Sequence, residues 1–83
     1  MISFSNQGWE EYNFWLENDQ KVFEKIRRLI RDTQREPFRG IGKPEPLKNN
    51  LSGYWSRRIT DEHRFVYKIT NDGLIIISCK FHY

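Results

Sequence analysis

HRFVYKITNDGLIIISCKF, residues 63–81, is the segment that decides the fold. Its β-branched and aromatic residues flank Asn71-Asp72-Gly73, which predicts two strands, 63–69 and 74–81, joined by a tight hairpin. A three-residue loop, a type I turn closed by Gly73 in the left-handed conformation, would pair Thr70 with Leu74 and Arg64 with Lys80. Because side chains alternate along a strand, Arg64, Lys80 and His82 would then share one face. A similar loop at Thr60-Asp61-Glu62 would bring in a strand over 54–59, with Arg58 opposite Arg64 and Ser56 on the same side. The opposite face collects Trp55, Phe65, Tyr67, Ile69, Ile75, Ile77, Cys79 and Phe81, an apolar set fit to pack on helices. In this register Leu74 and Ile76 fall on the basic face, where they would lie under a loop or meet a partner. Arg57 falls on the apolar side and is expected to be structural.

Upstream, Pro37, Gly40, Gly42, Pro44 and Pro46 punctuate an ordered connection in which no regular structure is expected. Before it, Val22, Ile26, Leu29, Ile30 and Thr33 recur at helical spacing with Lys, Arg and Glu between them. Asn18-Asp19 separates this helix from an earlier one carrying Trp9, Tyr12, Trp15 and Leu16 as its expected core stripe, capped by Ser5 or Asn6. Ile2 to Ser5 is expected to be a short strand. The fold class is therefore α+β: a short N-terminal strand, a two-helix hairpin, then three antiparallel strands packed on the helices.

At 83 residues the chain has room for one domain, residues 1–83, with a core enriched by three Trp, four Tyr and six Phe. A net charge of +3 hints at a polyanionic partner, although mixed charges of this kind also simply solvate helix faces. A single cysteine, Cys79, rules out an internal disulfide framework and fits a reducing, cytoplasmic setting. Neither a signal peptide nor a stretch long enough to span a membrane is evident, so no membrane role is expected.

Two distant histidines and one cysteine match no common metal-ligand spacing, and Gly40-Ile41-Gly42 lacks the rest of a phosphate-binding glycine loop. Neither a metal nor another cofactor is expected. What the chain does offer is a set suited to metal-free cleavage of RNA, which needs a base, an acid and cations. Glu45, fixed between Pro44 and Pro46 with Lys43 and Lys48 nearby, suits a base; a solvated loop carboxylate would look the same. His82 carries the side chain best poised to move a proton near neutrality, but it is also one residue from the end, where chains commonly fray. Tyr83 could stack on a base, or be a free chain end. Arg58 and Arg64 could grip phosphate or form salt bridges with Asp61 or Glu62. His63 is expected to close a turn, and Cys79 to be a small buried hydrophobe.

The series Gly42-Lys43-Pro44-Glu45-Pro46-Leu47-Lys48, Gly53-Tyr54-Trp55-Ser56-Arg57-Arg58-Ile59, Glu62-His63-Arg64, Val66-Tyr67 and His82-Tyr83 resembles the YoeB (Txe) toxins. The resemblance spans essentially the whole chain. It implies the compact RelE-like α+β domain of the RelE/ParE superfamily and a type II toxin that cuts mRNA in the ribosomal A site. It further implies Glu45 as general base, His82 as general acid, Arg64 as transition-state stabiliser, and RNA contacts from Lys48, Arg58 and Tyr83. The implied partners are mRNA, the ribosome and a YefM-type antitoxin, and members of the family can dimerise, so a homodimer is one expected assembly. The competing expectation keeps the fold but makes the chain a ParE-like toxin that binds a protein target such as DNA gyrase and cuts nothing.

Overall fold

The computed structural model describes residues 1–81. Along the chain run β1 (Ile2–Phe4), α1 (Asn6–Asn18), α2 (Gln20–Arg35), β2 (Glu45–Pro46), a 3-10 turn (Asn49–Leu51), β3 (Trp55–Arg58), β4 (Arg64–Thr70) and β5 (Gly73–Ser78). The five strands form one sheet in the order β1-β5-β4-β3-β2. All neighbours are antiparallel except β1, which lies parallel to β5 with Ile2 opposite Leu74.

Capping explains where the helices begin and end. Ser5 extends its backbone and accepts a hydrogen bond on its side chain from the Gly8 N–H, which starts α1. Asp19 serves both helices: its N–H donates to the Trp15 carbonyl at the end of α1, and its carboxylate accepts from the Val22 N–H at the start of α2. The expected break at Asn18-Asp19 is thus a shared cap. α2 buries Phe23, Ile26, Leu29, Ile30 and Thr33, the face anticipated except that Phe23 is deeper than the partly buried Val22. Among the described residues no helix is long and apolar enough to cross a membrane.

On α1 only part of the aromatic stripe is core. Trp15 is buried and Tyr12 partly so, but Trp9 and Leu16 remain 53% and 48% exposed. The reason is Gly8, which lies directly over β5: a Cβ there would sit 2.5 Å from the Ile76 carbonyl oxygen. That contact, invisible to hydropathy, sets the rotation of the helix and turns Trp9 outward, where its ring stacks with Tyr12 and meets Phe4 edge-on.

The β4–β5 hairpin corrects the expected register. The turn is shorter: Thr70 pairs with Gly73, and Ile69 with Leu74, rather than Thr70 with Leu74. Leu74 and Ile76 therefore point into the core, 4% and 0% exposed, while Ile75 and Ile77 do not. The ladder then slips between Tyr67–Ile76 and Val66–Ser78, leaving Ile77 as an extra residue on β5. Past this bulge the pairing returns to the expected register, so Cys79 reaches the core after all. The α1 cap sits on the bulge: the Ser5 N–H donates to the Ile76 carbonyl at 2.9 Å and its hydroxyl to that of Ile77 at 2.7 Å.

A second correction concerns the connection after α2, where no regular structure was expected. Glu45–Pro46 forms a short edge strand, Glu45 opposite Ser56 and Pro46 opposite Trp55. Proline is tolerated here because an edge residue can leave its missing N–H unpaired.

Candidate functional site

The sheet has one face covered by the helices and one open face, and β2, β3 and β4 bring the candidate residues onto the open one. In β3, Trp55 and Arg57 turn inward, so Ser56 and Arg58 turn outward. Glu45 stands opposite Ser56, and Ser56 opposite Val66, giving a row across three strands. One step along, Arg58 is directly opposite Arg64, as expected from the sequence. Gly42, Lys43, Glu45, Ser56, Arg58 and Arg64 line a small cleft at this point.

Cross-strand geometry gives the distances. Side chains directly opposite are about 5 Å apart at Cβ and diagonal neighbours roughly 7–8 Å, so the Glu45 carboxylate and both guanidiniums converge within side-chain reach. Like charges facing each other across two strands repel. Among the described residues neither Arg58 nor Arg64 forms an ion pair to relieve this, so the cleft concentrates positive charge suited to an anion. The floor is uncharged and packed: Ser56 and Val66 are 1% and 4% exposed.

Not every expected residue joins this cleft. Lys48 lies at the start of the 3-10 turn, outside the lining. Lys80, expected beside Arg64, instead places its ammonium 3.8 Å from the centre of the Phe14 ring on α1. This cation–π contact draws it away from the cleft. Lys43 joins the lining; its left-handed backbone, φ 50°, between Gly42 and Pro44 turns the chain into β2. Its neighbours in sequence mark the turn, but nothing in them shows that the lysine faces the arginines. His82 and Tyr83 lie outside the described residues.

Residues immediately before them are held from several directions. The Cys79 N–H donates to Glu11 Oε1 at 2.7 Å, and the Cys79 carbonyl accepts from Trp15 Nε1 at 2.8 Å. Phe81 donates its N–H to His63 Nδ1 at 2.8 Å, while its carbonyl accepts from the Arg64 N–H at 3.1 Å. His63 is buried against Trp15 and does the structural work expected of it. Arg57, likewise expected to be structural, is fully buried and bonded to Asp32 at 2.7 Å. That guanidinium, joined by the Ile41 N–H, holds the Asp32 carboxyl below its ordinary range.

The larger hollows lie elsewhere. One of about 500 Å³ runs along α2 from Lys21 to Arg31, and another of about 440 Å³ lies between β1, α1 and α2. The first sets Glu24 beside Arg27, Arg28 and Arg31 along a single helix, with no pair of arginines opposed across strands, and no carboxylate lines the second, so size does not pick out the chemistry. Among the described residues no cluster of three or more His, Cys, Asp and Glu side chains is placed to hold a metal.

A helical hairpin on one face of a mixed sheet is a fold found in other toxin–antitoxin structures: at 19% identity and a TM-score of 0.74, a chain of the RelBE2 toxin–antitoxin complex from Mycobacterium tuberculosis shares it over 99% of this chain and 96% of its own. The family model for YoeB-like toxins of bacterial type II toxin-antitoxin systems matches residues 4–83, and the chain belongs to that family. Toxin YoeB of Streptomyces coelicolor is 58% identical over 82 residues, covering 99% of this chain and 98% of the relative. A YoeB/ParE toxin from Agrobacterium tumefaciens superposes with a TM-score of 0.96 at 51% identity, covering 99% of this chain and 98% of the other. The toxin in a YoeB–YefM complex from Staphylococcus aureus superposes with a TM-score of 0.93 at 46% identity, over 100% and 97% of the two chains. A YoeB dimer from the same organism gives 0.92 at 48%, over 99% and 95%. This chain is thus the toxin of a type II toxin-antitoxin system.

Proposed function

We propose that residues 1–83 form a single-domain, cytoplasmic endoribonuclease that cuts mRNA in the ribosomal A site by metal-independent acid–base catalysis. The observation that carries this is the convergence of Glu45 with the facing pair Arg58 and Arg64. A carboxylate beside two guanidiniums that form no ion pair among the described residues suits an internal attack on a phosphodiester, which needs a proton acceptor next to an anion site. Glu45 takes the proton of the 2′-hydroxyl, whose oxygen attacks phosphorus. The bond from phosphorus to the 5′-oxygen breaks, and His82 protonates the departing oxygen. The products carry a 2′,3′-cyclic phosphate and a 5′-hydroxyl, with no water consumed.

Arg64 stabilises the charge that builds on the phosphoryl oxygens, Arg58 and Lys48 hold neighbouring phosphates, and Tyr83 stacks on a base. The cleft measures about 60 Å³, whereas pockets that enclose a small ligand run to about 300–1,000 Å³. It can therefore grip one phosphate but cannot orient a nucleotide alone. The ribosome supplies that orientation, which turns an encounter into an aligned reaction. A YefM-type antitoxin is the proposed inhibitor, on the strength of the Staphylococcus aureus YoeB–YefM complex, and the YoeB dimer from that organism supports a homodimer.

The test uses purified protein with programmed ribosomes carrying a defined A-site codon, beside naked mRNA. Cleavage is expected only with ribosomes, leaving cyclic phosphate ends. Glu45→Ala and His82→Ala should each slow it by about 10²–10⁴-fold while keeping the fold. An intact message on ribosomes that bind the protein would overturn the nuclease proposal, and absence of binding would favour a ParE-like protein target.

A further inference from the structure

Arg57 is buried on the helix side of β3, directly between two cleft residues, Ser56 and Arg58. A guanidinium has five N–H donors, and here all five are engaged. Nε donates to the Tyr67 hydroxyl at 3.2 Å, and Nη1 to Asp32 Oδ2 at 2.7 Å and the Ile41 carbonyl at 3.1 Å. Nη2 donates to the Glu36 and Arg39 carbonyls at 2.6 and 2.9 Å. Its partners tighten the same segment: Asp32 Oδ2 accepts from the Ile41 N–H at 2.9 Å, and the Tyr67 hydroxyl donates to the Pro37 carbonyl at 2.7 Å. The connection 36–41 is wrapped around one cation.

That connection leads straight to Glu45. β2 is only two residues long, too short for its own ladder to fix a carboxylate. What holds it is a pair of backbone anchors on either side: Arg58 N–H to the Gly42 carbonyl at 2.7 Å, and Leu47 N–H to the Tyr54 carbonyl at 2.9 Å. The first anchor comes immediately after the wrapped segment. Gly40 within the segment and Gly42 just after it are both required for closure. A Cβ at Gly40 would collide with the Asp32 carboxylate, and one at Gly42 would come within 2.9 Å of Leu29 and 3.1 Å of the Arg58 carbonyl oxygen. Both have positive φ, 120° and 80°.

Burying a charged pair is no efficient way to stabilise a small core, since an apolar pair of equal volume commonly does as well or better. Three directed bonds to one loop, with two more to Asp32 and Tyr67 that each bond the loop in turn, do something apolar packing cannot, which is to fix a backbone path. We infer that the Arg57–Asp32 pair is a positioning device for the reaction, holding residues 36–44 so that Glu45 stands at the correct distance from Arg58 and Arg64. Arg57 touches no substrate and acts through Glu45. This rests on the nuclease proposal above for its catalytic consequence, but not for its structural one.

Two variants loosen the device in different ways. Asp32→Asn removes one charge while conserving shape, and Gly40→Ala forces the loop off the pair without altering either charged residue. Each is compared with wild type on programmed ribosomes at a temperature where thermal unfolding shows the variant fully folded. The single-turnover rate should fall about 10–100-fold, as displacements near 1 Å do, with ribosome affinity changed less than twofold. Amide hydrogen exchange should quicken at Ile41, Arg58 and Leu47 and stay unchanged in β4 and β5. Folded variants that cleave at the wild-type rate, or whose loss appears only as they unfold, would overturn the inference. If wild type itself fails to cleave, the nuclease proposal fails, and the exchange pattern still decides: unchanged protection at those three amides would overturn the device.

Discussion

Cys79 shows how much one residue can connect. Its N–H and carbonyl are bound by Glu11 and Trp15 of α1, and its side chain fills the core without exposure. Burial, with a smaller contribution from the Glu11 carboxylate, pushes the thiol up to about 12 from an ordinary 9.0. The folded state therefore keeps a proton that the unfolded chain would release. The associated stability is fully present below pH 9 and is lost as pH rises toward 12. The advantage of wild type over Cys79→Ala in urea unfolding should accordingly shrink between pH 8 and pH 11. Iodoacetamide at pH 8 should label the thiol only as the protein unfolds, and rapid labelling of the native state would contradict the burial. Cys79 was expected in the core by its alternation with Ile75 and Ile77, and it reaches the core although those two do not, because the bulge restores the register before it. That its backbone ties α1 to the last strand was not legible, because Glu11 and Trp15 lie far from it in sequence and carry no local mark of the contact.

Among the elements, the helices and the three long strands were legible because hydrophobic period and capping residues are local signals. The face assignment of β5 was not. It depends on the sum of a turn one residue shorter than expected and a bulge at Ile77, two opposite shifts that cancel beyond Ser78. A run of three isoleucines offers no pattern from which to tell which one is extra. For the same reason Arg58 opposite Arg64 could be read from the sequence, while Glu45 came to them only through family resemblance; its two-residue strand is held by a loop wrapped round Arg57. The bulge has its own support in the start of α1, where Ser5 bonds both flanking carbonyls and Gly8 allows close approach. Gly8→Ala should drive a methyl into the Ile76 carbonyl and cost about 1–3 kcal/mol, the usual penalty for overpacking. Equilibrium urea unfolding measures it, and a neutral or stabilising result would show that α1 can lift from β5 freely.

For the molecule as a whole, the net charge of +3 matters less than its placement. Arg58, Arg64 and Lys43 occupy the open face, and a band of Lys21, Arg27, Arg28 and Arg31 lies on α2. Ribosome binding under the proposed function should therefore weaken steeply with salt. Removing one phosphate contact by Lys48→Ala should reduce the logarithmic slope by about 0.7, the value for single-stranded nucleic acid, and an unchanged slope would take Lys48 out of the interface. The sheet is also completed in a particular order. Among the described residues β1, at residues 2–4, pairs in the sheet only with β5, at residues 73–78, and Leu74 donates its N–H to the Met1 carbonyl. The first strand made must thus wait for the last. A nascent chain lacking β5 is without the sheet partner of β1, one of the two partners of β4 and the surface on which α1 docks, so it cannot assemble this fold piecemeal during synthesis. For a protein proposed to attack translating ribosomes, that order of assembly leaves the nascent chain without its complete sheet until β5 has been made.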